Sequence, residues 1–150
     1  MKKRIKKSKY IKAGLAFFLA TVWYASDNKT FASNDNHGYS FEIQPYHYNN
    51  YSAKRYRQTT HVENEWKVNL ISSGEGKGTI TTFWLGKYND DAFYNYEQGS
   101  ITRNIKQGSG NHYTEAYSKA NKSYVALGAE NNNYTTNTYW VSGNWDEEVW

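Results

Sequence analysis

The sequence predicts an all-β protein: a single antiparallel β-sandwich of roughly six to eight strands, behind a cleaved signal peptide. Three observations predict it. Short runs alternate apolar and polar residues with period two, the spacing of side chains on a half-buried strand. Val, Ile, Thr, Tyr, Phe and Trp dominate those runs, and these residues suit a pleated surface. Clusters of Gly, Asn, Asp and Ser separate the runs, and they are the residues that turn a chain.

Taken in order, residues 1–32 read as the signal peptide. Lys2, Lys3, Arg4, Lys6, Lys7, Lys9 and Lys12 form a basic start with no acid, and Ala13 to Ala25 carries no charge. That is the form of a secretory leader. Thr30-Phe31-Ala32 puts small residues where a signal peptidase reads, so the expected mature N-terminus is Ser33. The uncharged run of thirteen residues is short of the ~20 that a spanning helix needs, so no membrane span is expected after processing. Residues 33–38 (SNDNHG) read as a flexible leader and 39–150 as the sandwich domain.

Within the domain, Phe41 and Ile43 alternate with polar neighbours, as do Trp66, Val68 and Leu70. Around Ile80, Thr82 and Trp84 both faces are partly apolar. Ile101, Arg103 and Ile105 form a weaker strand. Residues 124–129 are almost continuously apolar, and 134–145 are rich in Thr, Tyr, Val and Trp. Trp66, Val68, Leu70, Ile80, Trp84, Val125, Leu127 and Trp140 are the expected core. Thr114 to Asn121 allows at most two helical turns. Pro45 in the first strand places that strand at an edge or a bulge, because proline cannot donate to a ladder.

Composition narrows the function classes. The chain has 18 basic and 14 acidic residues, of which residues 1–32 hold eight and one, so the remainder has ten and thirteen, net −3. The basic balance therefore belongs to the leader, and nucleic acid is not an expected partner. There is no cysteine, so stability rests on packing rather than disulfides. After residue 32 the chain holds 13 Tyr, 5 Trp and 3 Phe but only three Leu. Aromatic rings must supply much of the buried area, and the excess of Tyr predicts a Tyr-rich surface.

Candidate chemistry is sparse. Residues 74–79 (GEGKGT) fail the phosphate-loop spacing and read as a hairpin turn. His37, His47, His61 and His112 make no metal-binding pattern. Asp90 and Asp91 with Asn89 and Asn95, or Glu130 with Asn131 to Asn133, could offer oxygens to calcium, but turn formation explains them. The sequons at Asn50, Asn121 and Asn133 carry little weight behind a bacterial-style leader. No nucleophile–base pair or cofactor motif is present, so no catalytic residue, metal or cofactor is assigned.

The stretches Tyr56-Arg57-Gln58-Thr59, Trp66-Lys67-Val68-Asn69-Leu70, Phe83-Trp84-Leu85, Lys106-Gln107-Gly108-Ser109-Gly110, Ala129-Glu130-Asn131-Asn132 and Ser142-Gly143-Asn144-Trp145-Asp146-Glu147 resemble an uncharacterised family of small secreted Firmicutes proteins, a domain of unknown function. The resemblance covers nearly all of the chain after the leader. It implies export and an all-β fold, and it carries no catalytic residues. In size and composition the chain is also similar to lactococcin-type β-sandwich bacteriocins.

The expected function is therefore that of a secreted, extracellular, non-enzymatic protein. It would bind at a bacterial cell envelope in a bacteriocin-like or surface-interaction role. The alternative is a small secreted enzyme acting on a cell-wall polymer. Tyr46, Tyr48, Tyr51, Arg55, Tyr56 and Arg57 are the candidate contact surface, because this segment mixes rings and positive charge most densely. Tyr gives large contact area at low entropy cost. Anionic envelope polymers or lipid head groups are the expected partners. The competing assignment for the arginines is an ion pairing with Asp146, Glu147 and Glu148 near the other end of the chain.

Overall fold

In the computed structural model, residues 35–93 and 95–149 are described, and the expected signal peptide and the expected mature N-terminus at Ser33 lie outside the described residues. Ten strands follow in order: β1 (His37–Ile43), β2 (Asn50–Tyr51), β3 (Arg55–Arg57), β4 (Trp66–Ser73), β5 (Ile80–Tyr88), β6 (Tyr96–Gln98), β7 (Arg103–Lys106), β8 (His112–Thr114), β9 (Ser123–Asn131) and β10 (Tyr139–Asp146). β2, β3, β6 and β8 have three residues or fewer, which is why the alternation in the sequence points to fewer strands. No helix among the described residues is long and apolar enough to cross a membrane.

The strands form two antiparallel sheets, one ordered β1-β10-β4-β8 and the other built on the central pair β9-β5. β2 and β3 share the free edge of β9, and β6 and β7 share the free edge of β5. The inward faces meet in one core. Trp66, Val68, Leu70, Val141 and Trp145 come from the smaller sheet, and Phe83, Leu85, Val125, Leu127 and Ala129 from the larger. Side chains alternate across each strand, so the partners of an inward residue point inward too.

That rule corrects two expected core residues. In β5 the inward set is Thr81, Phe83 and Leu85, so Ile80 points outward and is exposed. In β10 Tyr139, Val141 and Trp145 are buried, which leaves Trp140 60% exposed. Trp84 is buried as expected, at 6% exposure, but it lies outside the inter-sheet core because it shares the outward face with Ile80. The other five expected core residues lie between the sheets.

β1 is an edge strand that ends at Ile43, so Pro45 falls just beyond the ladder. It begins at His37, inside the stretch read as leader, where His37 and Gly38 pair with Trp145 and Asn144. The possible helix at 114–121 is a single 3₁₀ turn, Ser118–Ala120; Thr114 closes β8 instead.

The C-terminal segment is clamped by a buried polar network. The guanidinium of Arg57 donates to the backbone oxygens of Glu147 and Asn64 and to Asn121 Oδ1. Glu148 accepts the backbone N–H groups of Gln58 and Thr59 at 2.9 and 2.8 Å. Val149 N–H donates to the Glu65 carbonyl at 2.8 Å.

Candidate functional site

The outward face of the larger sheet carries rings where a solvated sheet would carry charge. Trp84, Gly86 and Tyr88 occupy one side of β5, and Gly128, Ala126 and Tyr124 the same side of β9. Tyr51 of β2 pairs with Gly128, Tyr56 of β3 with Tyr124, and Tyr96 of β6 with Tyr88, so all three rings join this face.

Two glycines let the rings lie against the backbone. A Cβ at Gly128 would stand 2.5 Å from Trp84 Nε1, and a Cβ at Gly86 would stand 2.7 Å from Tyr51 Cε1. Neither position could hold a side chain without displacing a ring. Close approach of a ring, rather than an unusual backbone angle, is what asks for glycine here.

The rings then contact one another in series. Tyr51 stacks on Tyr96 at 4.1 Å between centroids and stands edge-on to Trp84 at 5.9 Å. Tyr96 meets Tyr88 at 5.6 Å. The Lys54 ammonium lies 3.5 Å from the Tyr88 centroid and 5.8 Å from that of Tyr124, within cation–π range. Tyr124 meets Tyr56 at 5.2 Å. Offset and edge-to-face pairs of this kind stabilise beyond their buried area by about 0.5–1.5 kcal/mol each.

Tyr51, Trp84 and Tyr96 line a cleft of about 220 Å³ together with Asn49, Gln98, Thr102 and Glu130. Burial holds the Glu130 carboxyl above the usual carboxylate range, while the charge of His47 acts on it in the opposite sense. Burial also raises the Tyr96 phenol, assisted by the neighbouring Tyr51. A small second cluster has Tyr134 against Tyr46 at 5.2 Å and against His47 at 5.5 Å. Tyr46 and His47 both adopt left-handed backbone, with φ of 56° and 61°. Consecutive non-glycine residues in that region are strained.

The six residues expected to form one contact surface are thus divided. Tyr51 and Tyr56 lie in the aromatic band. Tyr46 belongs to the Tyr134 cluster, and Tyr48 is exposed in the same loop. Arg57 is 0% exposed and cannot contact a partner; it is the clamp on the C-terminal segment. Arg55 is exposed, but it pairs with Val125 across the ladder, on the side opposite Tyr56, and its charge acts on Glu147. Period-two alternation separates the two arginines from the ring between them. The six residues therefore do not share one face: Arg55 lines a second cleft with Tyr51, Tyr39, Phe41 and Trp145, while Lys54 lies against the rings of Tyr88 and Tyr124.

Tyr96, Tyr88, Tyr124 and Gln98 are not among the expected site residues, and the sequence offers Glu130 only as an oxygen ligand for calcium. The available signal was Trp84-x-Gly86-x-Tyr88 beside Tyr124-x-Ala126-x-Gly128, a ring stripe facing a stripe of small residues. Elsewhere, residues 74–79 do form the β4–β5 turn, with Gly76 and Gly78 at φ of 100° and 84°. Asn89 Oδ1 accepts the Asp91 N–H and Asn131 Oδ1 accepts the Asn133 N–H, as turn residues do. Among the described residues no three His, Asp or Glu side chains are grouped as a metal site.

The chain belongs to the family described as a protein of unknown function, DUF2712, which matches residues 26–149. No curated protein matches it in sequence. Among solved structures, the crystal structure of PirA is similar at 7% identity and a TM-score of 0.43, over 76% of this chain and 98% of that one. That distance transfers neither residues nor function.

Proposed function

We propose that this member of DUF2712 is an exported, non-enzymatic protein that binds at a bacterial cell envelope through the outward aromatic face of its larger sheet. The observation that carries the proposal is the Tyr51–Trp84–Tyr96 cleft, with Gly86 and Gly128 seating its rings. A folded domain gains nothing in its inter-sheet core by stacking tyrosines on the opposite face. Exposed aromatic surface with a polar rim is the composition of a recognition site. Export rests on residues 1–32, and a bacteriocin-like role rests on size and composition.

Burial of Arg57 and the placement of Arg55 change the expected mode of contact. Rings carry the interface rather than charge, so binding should depend little on salt, whereas a charge-driven contact with an anionic polymer or lipid head group would weaken steeply. One feature favours the alternative of a wall-acting enzyme: Glu130 is a carboxyl with a raised pKa at the cleft, as a general acid needs. Glycoside hydrolysis ordinarily takes two carboxyl groups, and Glu130 is the only one lining this cleft among the described residues.

The test is direct. The purified protein is mixed with intact cells, wall fragments and lipid vesicles at low and high salt, and the supernatant is assayed for released sugars or peptides. Salt-tolerant attachment to cells and walls without product is the expected outcome. Product release would replace binding with catalysis, and attachment only to anionic vesicles at low salt would reject the aromatic face.

A further inference from the structure

We infer that the Tyr51–Trp84–Tyr96 cleft is a subsite for one neutral pyranose ring of a glycan. The inference rests on the envelope-binding role above for where the glycan is met, while the site itself is argued from its own chemistry. A pyranose has two unlike surfaces. Its faces are patches of C–H, whose slightly positive hydrogens suit the negative face of an aromatic ring. Its rim is hydroxyl groups, each a donor and an acceptor. A matching site needs rings at the centre and groups that both donate and accept around them.

The cleft supplies both. Tyr51 and Tyr96 line the cleft and are half-buried, and Trp84 closes the floor at 89° to Tyr51. On the rim, the amides of Asn49 and Gln98 and the hydroxyl of Thr102 are exposed, and the Glu130 carboxyl stands beside them. An amide offers two donors and one acceptor oxygen, and a hydroxyl offers either role. Such groups match neighbouring hydroxyls of either polarity.

Size and charge narrow the class further. The volume of about 220 Å³ is below the ~300–1,000 Å³ of sites for drug-sized ligands, which suits one ring and not a long segment held end to end. No Lys or Arg is among the described residues lining the cleft, so a phosphate or sulfate would find no counter-charge there. The pocket beside Glu65, Arg103 and Glu115 is lined by fixed charges instead. Gly86 and Gly128 lock Tyr51 and Trp84 against the sheet, so little conformational freedom remains to be lost on binding.

The purified protein is titrated with glucose, galactose, mannose and N-acetylglucosamine, and with short oligomers of each. Tryptophan fluorescence and aromatic-ring NMR report binding. At least one sugar should bind saturably with a Kd of about a millimolar for a single ring, unchanged at high salt. Tyr96→Ala and Gln98→Ala should each weaken it about tenfold or more, while Tyr113→Ala on the smaller sheet should leave it unchanged. Gln98 is exposed, so its variant remains informative if Tyr96→Ala fails to fold. The inference falls if no sugar binds saturably, or if binding survives Gln98→Ala unchanged. Attachment to cells that requires Tyr96 but is not competed by any sugar would overturn the saccharide assignment and leave the envelope role standing. Sugar binding without attachment to cells or walls would do the reverse.

Discussion

Arg57→Ala should destabilise the fold severely, whereas Arg55→Ala, two residues away, should do almost nothing. Arg57 is fully buried, and its guanidinium serves the carbonyls of Glu147 and Asn64 and the side chain of Asn121. Burial lowers its pKa, and the charges of Glu148, Glu147 and Asp146 oppose that shift. Alanine would leave two carbonyl oxygens without their donor and those acids without the cation among them. Breaking a buried charged network from one side costs about 3–5 kcal/mol, out of a total of roughly 5–15 kcal/mol for a domain. With a urea slope of about 2 kcal/mol/M, the denaturation midpoint should fall by roughly 1.5–2.5 M. Arg55 is exposed, and surface substitutions usually stay within about 0.5 kcal/mol. Paired urea titrations followed by tryptophan fluorescence decide the matter. A loss below about 1 kcal/mol for Arg57→Ala, or equal losses for both variants, would refute the clamp.

Gly128→Ala should cost about 1–3 kcal/mol through overpacking, because the new methyl would stand 2.5 Å from Trp84 Nε1. An unchanged midpoint and near-UV spectrum would show that the indole does not lie there. Burial, with the charge of Asp146 as a lesser contributor, pushes the Glu147 carboxyl up from 4.5 to about 7, against Arg55 and a backbone hydrogen bond. His37 Nε2 also lies 3.5 Å from its Oε2. The native state therefore holds this proton more tightly than the unfolded chain. Its contribution should be full below the unfolded pKa and lost as pH rises through about 7, by at most roughly 3 kcal/mol. Chemical denaturation across that window should give a wild-type minus Glu147→Gln difference that varies with pH, and a constant difference would contradict the assignment. Trp84→Ala should cost about 3–5 kcal/mol and Trp140→Ala under about 1 kcal/mol; thermal melts showing similar losses would place one of the two rings wrongly.

Alternation and turn residues made the two sheets legible, because a side-chain period of two survives in any strand with one dry face. Trp66, Val68 and Leu70 illustrate it. Legibility fails where consecutive residues are both apolar. Tyr139 and Trp140 are such a pair, and pairing with Ile43 and Glu42 of β1 chooses between them. In β4 an irregularity opposite Ser142 and Gly143 skips Ile71 and turns Ser72 outward and Ser73 inward, a shift that no period reveals. β5 is apolar on both sides for two different reasons: Phe83 and Leu85 fill the core, and Trp84 floors the cleft. The segment 54–57 shows the same alternation from the other side. It reads as one patch along the chain, yet a strand sends Arg55 and Arg57 to one face and Tyr56 to the other. Tyr96 and Gln98 come to the cleft through pairing with β5 across a connection, which local sequence does not encode.

The most direct test of the aromatic face is ring NMR of the tyrosines and tryptophans while the purified protein is titrated with wall fragments. Signals from Tyr51, Trp84 and Tyr96 should shift together and saturate, with Tyr113 and Trp66 on the smaller sheet unmoved. Shifts confined to Tyr113 and its neighbours, or none at all at saturating fragment, would contradict binding through the outward face of the larger sheet.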